Sequence, residues 1–138
     1  MKIFCSYAFT GEDFGALSQR LSDLRDLFDK AGVEYYINCF APGWQDMMDR
    51  GATGGEFLRF ALNDLRTSDK MLVIQASSCR SEGMLMEIGA GVALGVPIIL
   101  AQHESSIGST YLPTVADDTF VWRIENELLD GVYRIITE

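Results

Sequence analysis

The sequence predicts an α/β fold in which a parallel sheet is covered on both faces by helices, and three observations predict it. Short apolar runs at Lys2 to Ala8, Met71 to Ala76 and Pro97 to Ala101 have the length and continuity of buried strands. The stretches between them carry apolar residues at three- and four-residue spacing, so strands alternate with helices. Glycines such as Gly32 and Gly95 then stop a helical pattern just before the next strand begins. Strands joined through helices in this way run parallel, with right-handed crossovers.

Taken in order, Lys2 to Ala8 reads as the first strand, and the turn TGED places Thr10 to cap a helix starting near Glu12. That helix sets Phe14, Leu17, Leu21, Leu24, Leu27 and Phe28 on one face and ends at Gly32. Val33 to Asn38 supplies the second strand. From Cys39 to Gly55 a loop rich in Gly and Met, containing Trp44, shows no clear period and reads as a lid or as an irregular surface excursion. Glu56 to Thr67 forms a second helix, on which Phe57, Phe60, Ala61, Asp64 and Leu65 give an apolar side and a polar edge. After the third strand, Met71 to Ala76, the loop SSCR leads into a helix from about Ser81 to Leu94, stopped by Gly95. Pro97 to Ala101 is the fourth strand, Thr119 to Trp122 a short fifth, and Glu125 to Ile136 the closing helix. The expected architecture is a flavodoxin-like, Rossmann-like three-layer sandwich with five parallel strands in the order 2-1-3-4-5, a single domain over residues 1–138.

A chain of 138 residues with 48% hydrophobic content can bury a core without disulfides or metal. Glu87, Gly89, Gly91, Gly95 and Pro97 interrupt the longest apolar run, which speaks for helix, turn and strand and not for a membrane span. The start, MKIFCSYAF, becomes strand-like at once, unlike a secretory signal, and a cytoplasmic protein is expected. Cys5, Cys39 and Cys79 are odd in number and widely spaced, and His103 has no cysteine at metal-ligand spacing, so neither a metal site nor a disulfide is expected, and no cofactor is called for. A net charge of -9 argues against a nucleic-acid polymer as partner, yet leaves room for a small nucleotide held by backbone amides.

The most informative residue is Glu87, the one ionisable group between Gly83 and Gln102. A carboxylate on so apolar a helix must find hydrogen-bond partners, line a cleft or carry a raised pKa. It can equally lie on a narrow solvent stripe. In a sheet of this order ligands bind at the carboxyl ends of the strands, near the switch between the first and third. The first strand delivers Ser6, Tyr7 and Phe9 there, and the third delivers Ser77 to Ser81 and the helix of Glu87. Ser81 reads as a helix cap and also as an anion contact, and Ser109 is a weaker signal of the same kind. Phe4 and Gly83, beside these segments, complete the set of candidate ligand contacts. Tyr7, Phe9 and Trp44 are suited to stack on a base or simply to pack. Gly89, Ala90 and Gly91 allow either tight packing on the sheet or a homodimer contact between helices. Asp69 falls at the opposite end of the third strand.

A lone glutamate beside a nucleotide-sized crevice suits chemistry at an electron-poor sugar carbon. Glycosidic cleavage passes through an oxocarbenium-like transition state that a carboxylate stabilises as nucleophile or counter-charge. Bonds from sugar to a base or nicotinamide need less acid help, because the leaving group is already good.

These residues resemble the nucleoside 2-deoxyribosyltransferase superfamily, which includes the 2'-deoxynucleoside 5'-phosphate N-hydrolases. The likeness runs through SDKMLVI, the serine six before the glutamate, EIG, ALGVPII and STYLPTVADDTFVW. It implies a nucleophilic or oxocarbenium-stabilising Glu87, ligand contacts from the loops of Ser6 and Ser81, a nucleoside or nucleotide substrate, and a homodimer in which the Ser109 region reaches the neighbouring site. Three departures stand out: Ala61 where the family places an aspartate, with Asp64 one turn on as a substitute; Phe4 or Ile3 where a tyrosine is expected; and no arginine in AFTGED. IFCSYAFTGED and SEGMLMEI also resemble TIR domains, whose enzymatic members cleave the nicotinamide bond of NAD. A non-catalytic nucleotide-binding module on the same scaffold is the third reading.

Overall fold

The computed structural model describes residues 1–79 and 81–138. Five parallel strands, β1 (Lys2–Tyr7), β2 (Glu34–Tyr36), β3 (Lys70–Gln75), β4 (Ile98–His103) and β5 (Asp118–Trp122), form one sheet in the order β2-β1-β3-β4-β5, as expected. Around it lie α1 (Phe14–Ala31), α2 (Trp44–Asp49), α3 (Gly54–Leu65), α4 (Glu82–Leu94), α5 (Leu112–Val115) and α6 (Glu125–Thr137).

Alternation along each strand divides the core into two layers. Ile3, Cys5, Leu72, Ile74, Ile99 and Ala101 face α1 and α6, meeting Leu17, Leu21, Leu24 and Phe28 from the first and Leu128, Val132 and Ile136 from the second. Phe4, Met71, Val73, Ile98 and Leu100 face the other way, against Ala61 and Leu65 of α3 and Met84 and Ile88 of α4. Each Leu, Ile, Val, Phe or Met among them that is fully withdrawn from water contributes about 1.5–3 kcal/mol, and this double burial is why the strands read as continuous apolar runs.

Helix ends follow local chemistry. Asp13, and not Thr10, caps α1: its carboxylate accepts from the Ala16 amide at 2.8 Å, while Thr10 lies in the preceding turn closed by Glu12 N–H to the Phe9 carbonyl. Phe14 therefore opens the helix on its outside and is 69% exposed, where an apolar-face position was expected. The loop expected over residues 39–55 contains a short 3-10 turn at Asn38–Phe40 and the helix α2. Only Met47 of α2 is buried, so a helix this short leaves no apolar period to read. Thr53 then starts α3 with a reciprocal capping box to Glu56, two residues earlier than expected.

The ends of α4 match the sequence. Ser81 caps it by accepting from the Met84 amide at 3.1 Å, and Gly95, at φ 71°, takes the left-handed closing position. Gly91 is packed on the sheet: a Cβ there would meet the Met71 sulfur at 2.8 Å. The tight-packing alternative is thus realised at Gly91, whereas Gly89 is exposed with nothing near it.

Candidate active site

Because β1 alternates, Ser6 lies on the same face as Phe4 and beneath α4. Its side chain is buried, and its hydroxyl donates to Glu87 Oε1 at 2.8 Å. Glu87 points inward from α4, so the solvent-stripe alternative fails. Burial pushes its pKa from the ordinary 4.5 up to about 7, and the Ser6 donor pulls it back only in part. Near neutral pH the group is split between acid and anion, and the anion is poorly solvated. Such a carboxylate can attack or support a developing positive charge, and its neutral form can donate a proton.

Two loops meet above this pair. Ser77, after β3, donates to the Glu12 carboxylate at 3.3 Å and accepts from the Cys79 amide at 3.1 Å. Gly11, at φ 81°, lies so close to Cys79 that a Cβ there would meet its sulfur at 2.8 Å. The segment between β1 and α1 is thereby pinned to the one between β3 and α4, at the point where the strand order reverses. Within the SSCR loop, Arg80 lies outside the described residues.

The other candidates divide. Phe4 is wholly buried and stacked on Tyr36 with ring centroids 4.7 Å apart, as the apolar run around it requires. Tyr7 turns toward the opposite layer and donates to the Asn38 side-chain carbonyl, which also accepts from the Cys39 amide at 2.7 Å. Burial, then the Cys39 thiol, pushes the Tyr7 phenol well above its usual range. Phe9 is 62% exposed on the loop, edge-on to Phe14. Gly83 is exposed in the first turn of α4, and the Ser81 hydroxyl oxygen accepts the cap hydrogen bond from the Met84 amide. Ser109 donates to the Ser106 carbonyl at 2.6 Å in the segment after β4, so β3 stands between it and β1. Trp44 packs on Phe57 at 6.4 Å.

Asp64 does not replace the absent aspartate beside Glu87. Its carboxylate accepts from Lys2 Nζ at 2.6 Å at the amino end of β1, because α3 runs back along the sheet and its last turn lies there. Asp69 accepts from the Lys2 amide at 2.8 Å at that same end, as expected. An open recess of about 530 Å³ at this edge, lined by Lys2, Asp29, Glu34, Tyr35 and Asp64 among others, shares no residue with the Ser6–Glu87 pair.

Sequence reasoning missed three polar residues in the layer above Ser6. Gln75 and Gln102 are buried neighbours at the ends of β3 and β4, and the Gln102 side-chain amide donates to the Gln75 side-chain oxygen Oε1 and to the Ser106 backbone carbonyl, each at 3.4 Å. The signal was present, since LVIQ and ILAQ each end an apolar strand in glutamine. Tyr36, the third, is paired with Phe4 in a register that no short-range pattern reveals. Among the described residues no His, Cys, Asp and Glu cluster suits a metal ion, and no helix is long and apolar enough to cross a membrane.

The fold and this pair define an α/β protein with a half-buried carboxylate at the switch point of its sheet. Solved structures of the same architecture include BlsM, with a TM-score of 0.72 at 21% identity over 99% of this chain and 91% of that one. The Clostridium botulinum CMP N-glycosidase BcmB gives 0.67 at 21% identity, covering 98% and 99%. A 2-deoxyribosyltransferase from Bacillus psychrosaccharolyticus gives 0.57 at 15% identity, covering 99% and 96%. The chain thus shares the α/β fold of these proteins. FerB, a flavoenzyme from Paracoccus denitrificans, gives 0.57 at 12% identity over 98% and 94%, so function has to be argued from the site. No family profile and no curated protein sequence matches the chain.

Proposed function

We propose that this protein cleaves, or transfers across, the N-glycosidic bond of a nucleoside or nucleoside 5'-monophosphate, with Glu87 as nucleophile or oxocarbenium stabiliser. The observation that carries the reading is the half-buried Glu87 carboxylate held by Ser6 below two pinned loops. The N-glycosidase and the deoxyribosyltransferase among the structural neighbours support the bond type.

In the proposed step the C1'–N bond breaks and its electron pair leaves with the base. The anionic Glu87 oxygen either bonds to C1' or balances its positive charge. Water, or a second base, then adds at C1', breaking the Glu87–C1' bond where one has formed and returning the carboxylate, and the proton that the acceptor loses balances the departing base. The reading includes a homodimer. It also includes a cytoplasmic setting, which the three free cysteines support.

The test is chromatography of free base released from ribo- and deoxynucleosides, their 5'-monophosphates and NAD, by wild type and Glu87→Gln. Glu87-dependent release from nucleosides or monophosphates is expected. Nicotinamide release alone would move the protein to the TIR-like class, and no release from any substrate would favour a binding module.

A further inference from the structure

Parallel pairing of β2 with β1 sets Tyr36 opposite Phe4. Its ring is stacked on Phe4 at 4.7 Å and 11°, and Phe60 of α3 leans on it at 6.3 Å, so the ring is fixed from two sides. Phe4 and Ser6 share one face of β1, and Ser6 holds Glu87. Tyr36 and Glu87 therefore approach the same stretch of β1 from opposite sides, one from the neighbouring strand and one from α4.

The Tyr36 hydroxyl is the unusual part. Only 3% of the residue is exposed, yet the hydroxyl makes no hydrogen bond to any described residue. It is not sealed either, because Gln75 Nε2 is the one unpartnered side-chain polar atom that is fully enclosed among the described residues. Buried tyrosine hydroxyls normally find a partner, so an unpaired one on a clamped ring beside a carboxylate points to a bound molecule. Burial, then the charges of Glu87 and Asp64, then the Cys39 thiol, hold this phenol protonated well above its usual range. It remains a donor at every pH at which Glu87 titrates.

The direction of the chemistry says what the donor meets. A carboxylate acting at C1' approaches the face opposite the departing base, so groups flanking it face the sugar and not the base. We propose that Tyr36 is a sugar-binding residue, its hydroxyl donating a hydrogen bond to one hydroxyl of the nucleoside held against Glu87. This rests on the N-glycosidic reading above.

Tyr36→Phe removes the hydroxyl and keeps the ring on Phe4, and an unchanged melting temperature checks that packing is intact. On a panel of nucleosides and their 2'-, 3'- and 5'-deoxy analogues, kcat/KM is expected to fall by about five- to twentyfold on sugars that keep the contacted hydroxyl. On the one analogue that lacks it, variant and wild type should be equal. Equal kinetics on every sugar, or one uniform loss on all of them, would overturn the assignment while leaving base release intact. A wild type that releases no base from any member would overturn the N-glycosidic reading and this assignment with it.

Discussion

Glu87 carries both a functional asset and a stability cost, and the sign of the cost can be worked out. Its native pKa, about 7, lies above the ordinary 4.5, so the native state binds the proton more tightly than the unfolded chain. The resulting stability is complete below pH 4.5 and is lost as pH rises to about 7. Above that, keeping an ionised Glu87 in place costs about 3 kcal/mol. Glu87→Gln stays neutral, so urea denaturation should find it more stable than wild type at pH 8, with the advantage fading toward pH 4.5. A constant difference between the two proteins across that range would contradict the burial argument. The groups bearing on this titration are Ser6, which donates to the carboxylate, and the phenols of Tyr36 and Tyr7, which remain protonated.

Among the elements, the contact between the first and third loops matters most. Gly11→Ala would force an L side chain into φ 81° and drive its Cβ to 2.8 Å from the Cys79 sulfur. A destabilisation of about 1–3 kcal/mol is expected, with a rise in KM that exceeds the fall in kcat, since the loops and not Glu87 are disturbed. Equal stability and unchanged KM would show that the loops do not depend on this contact. Sequence legibility followed the same physics at this scale. Ser81 and Gly95 made the ends of α4 readable because a cap and a left-handed stop act on adjacent residues. The helix α2 was illegible because one buried methionine makes no period. The stacking of Phe4 on Tyr36 was illegible because it depends on strand register, fixed only when β2 docks on β1.

For the whole molecule, strand order was legible because continuous apolar runs and alternating helices leave few alternatives. Assembly is less constrained. α4 presents Leu85, Met86, Val92 and Leu94 partly exposed around Gly89, and the proposed homodimer would cover such a face. Sedimentation at micromolar concentration should give twice the 15.3 kDa of one chain, and a monomeric profile would defeat the dimer.

The scaffold is shared with an N-glycosidase, a deoxyribosyltransferase and a flavoenzyme, so the decision falls on one side chain. The most direct measurement is the rate of free-base release from nucleosides and their 5'-monophosphates by wild type and Glu87→Gln at pH 8. Release by wild type is expected, with a loss of roughly 10³-fold in the variant and nucleoside binding retained. Equal turnover by the two proteins would contradict the proposed role of Glu87.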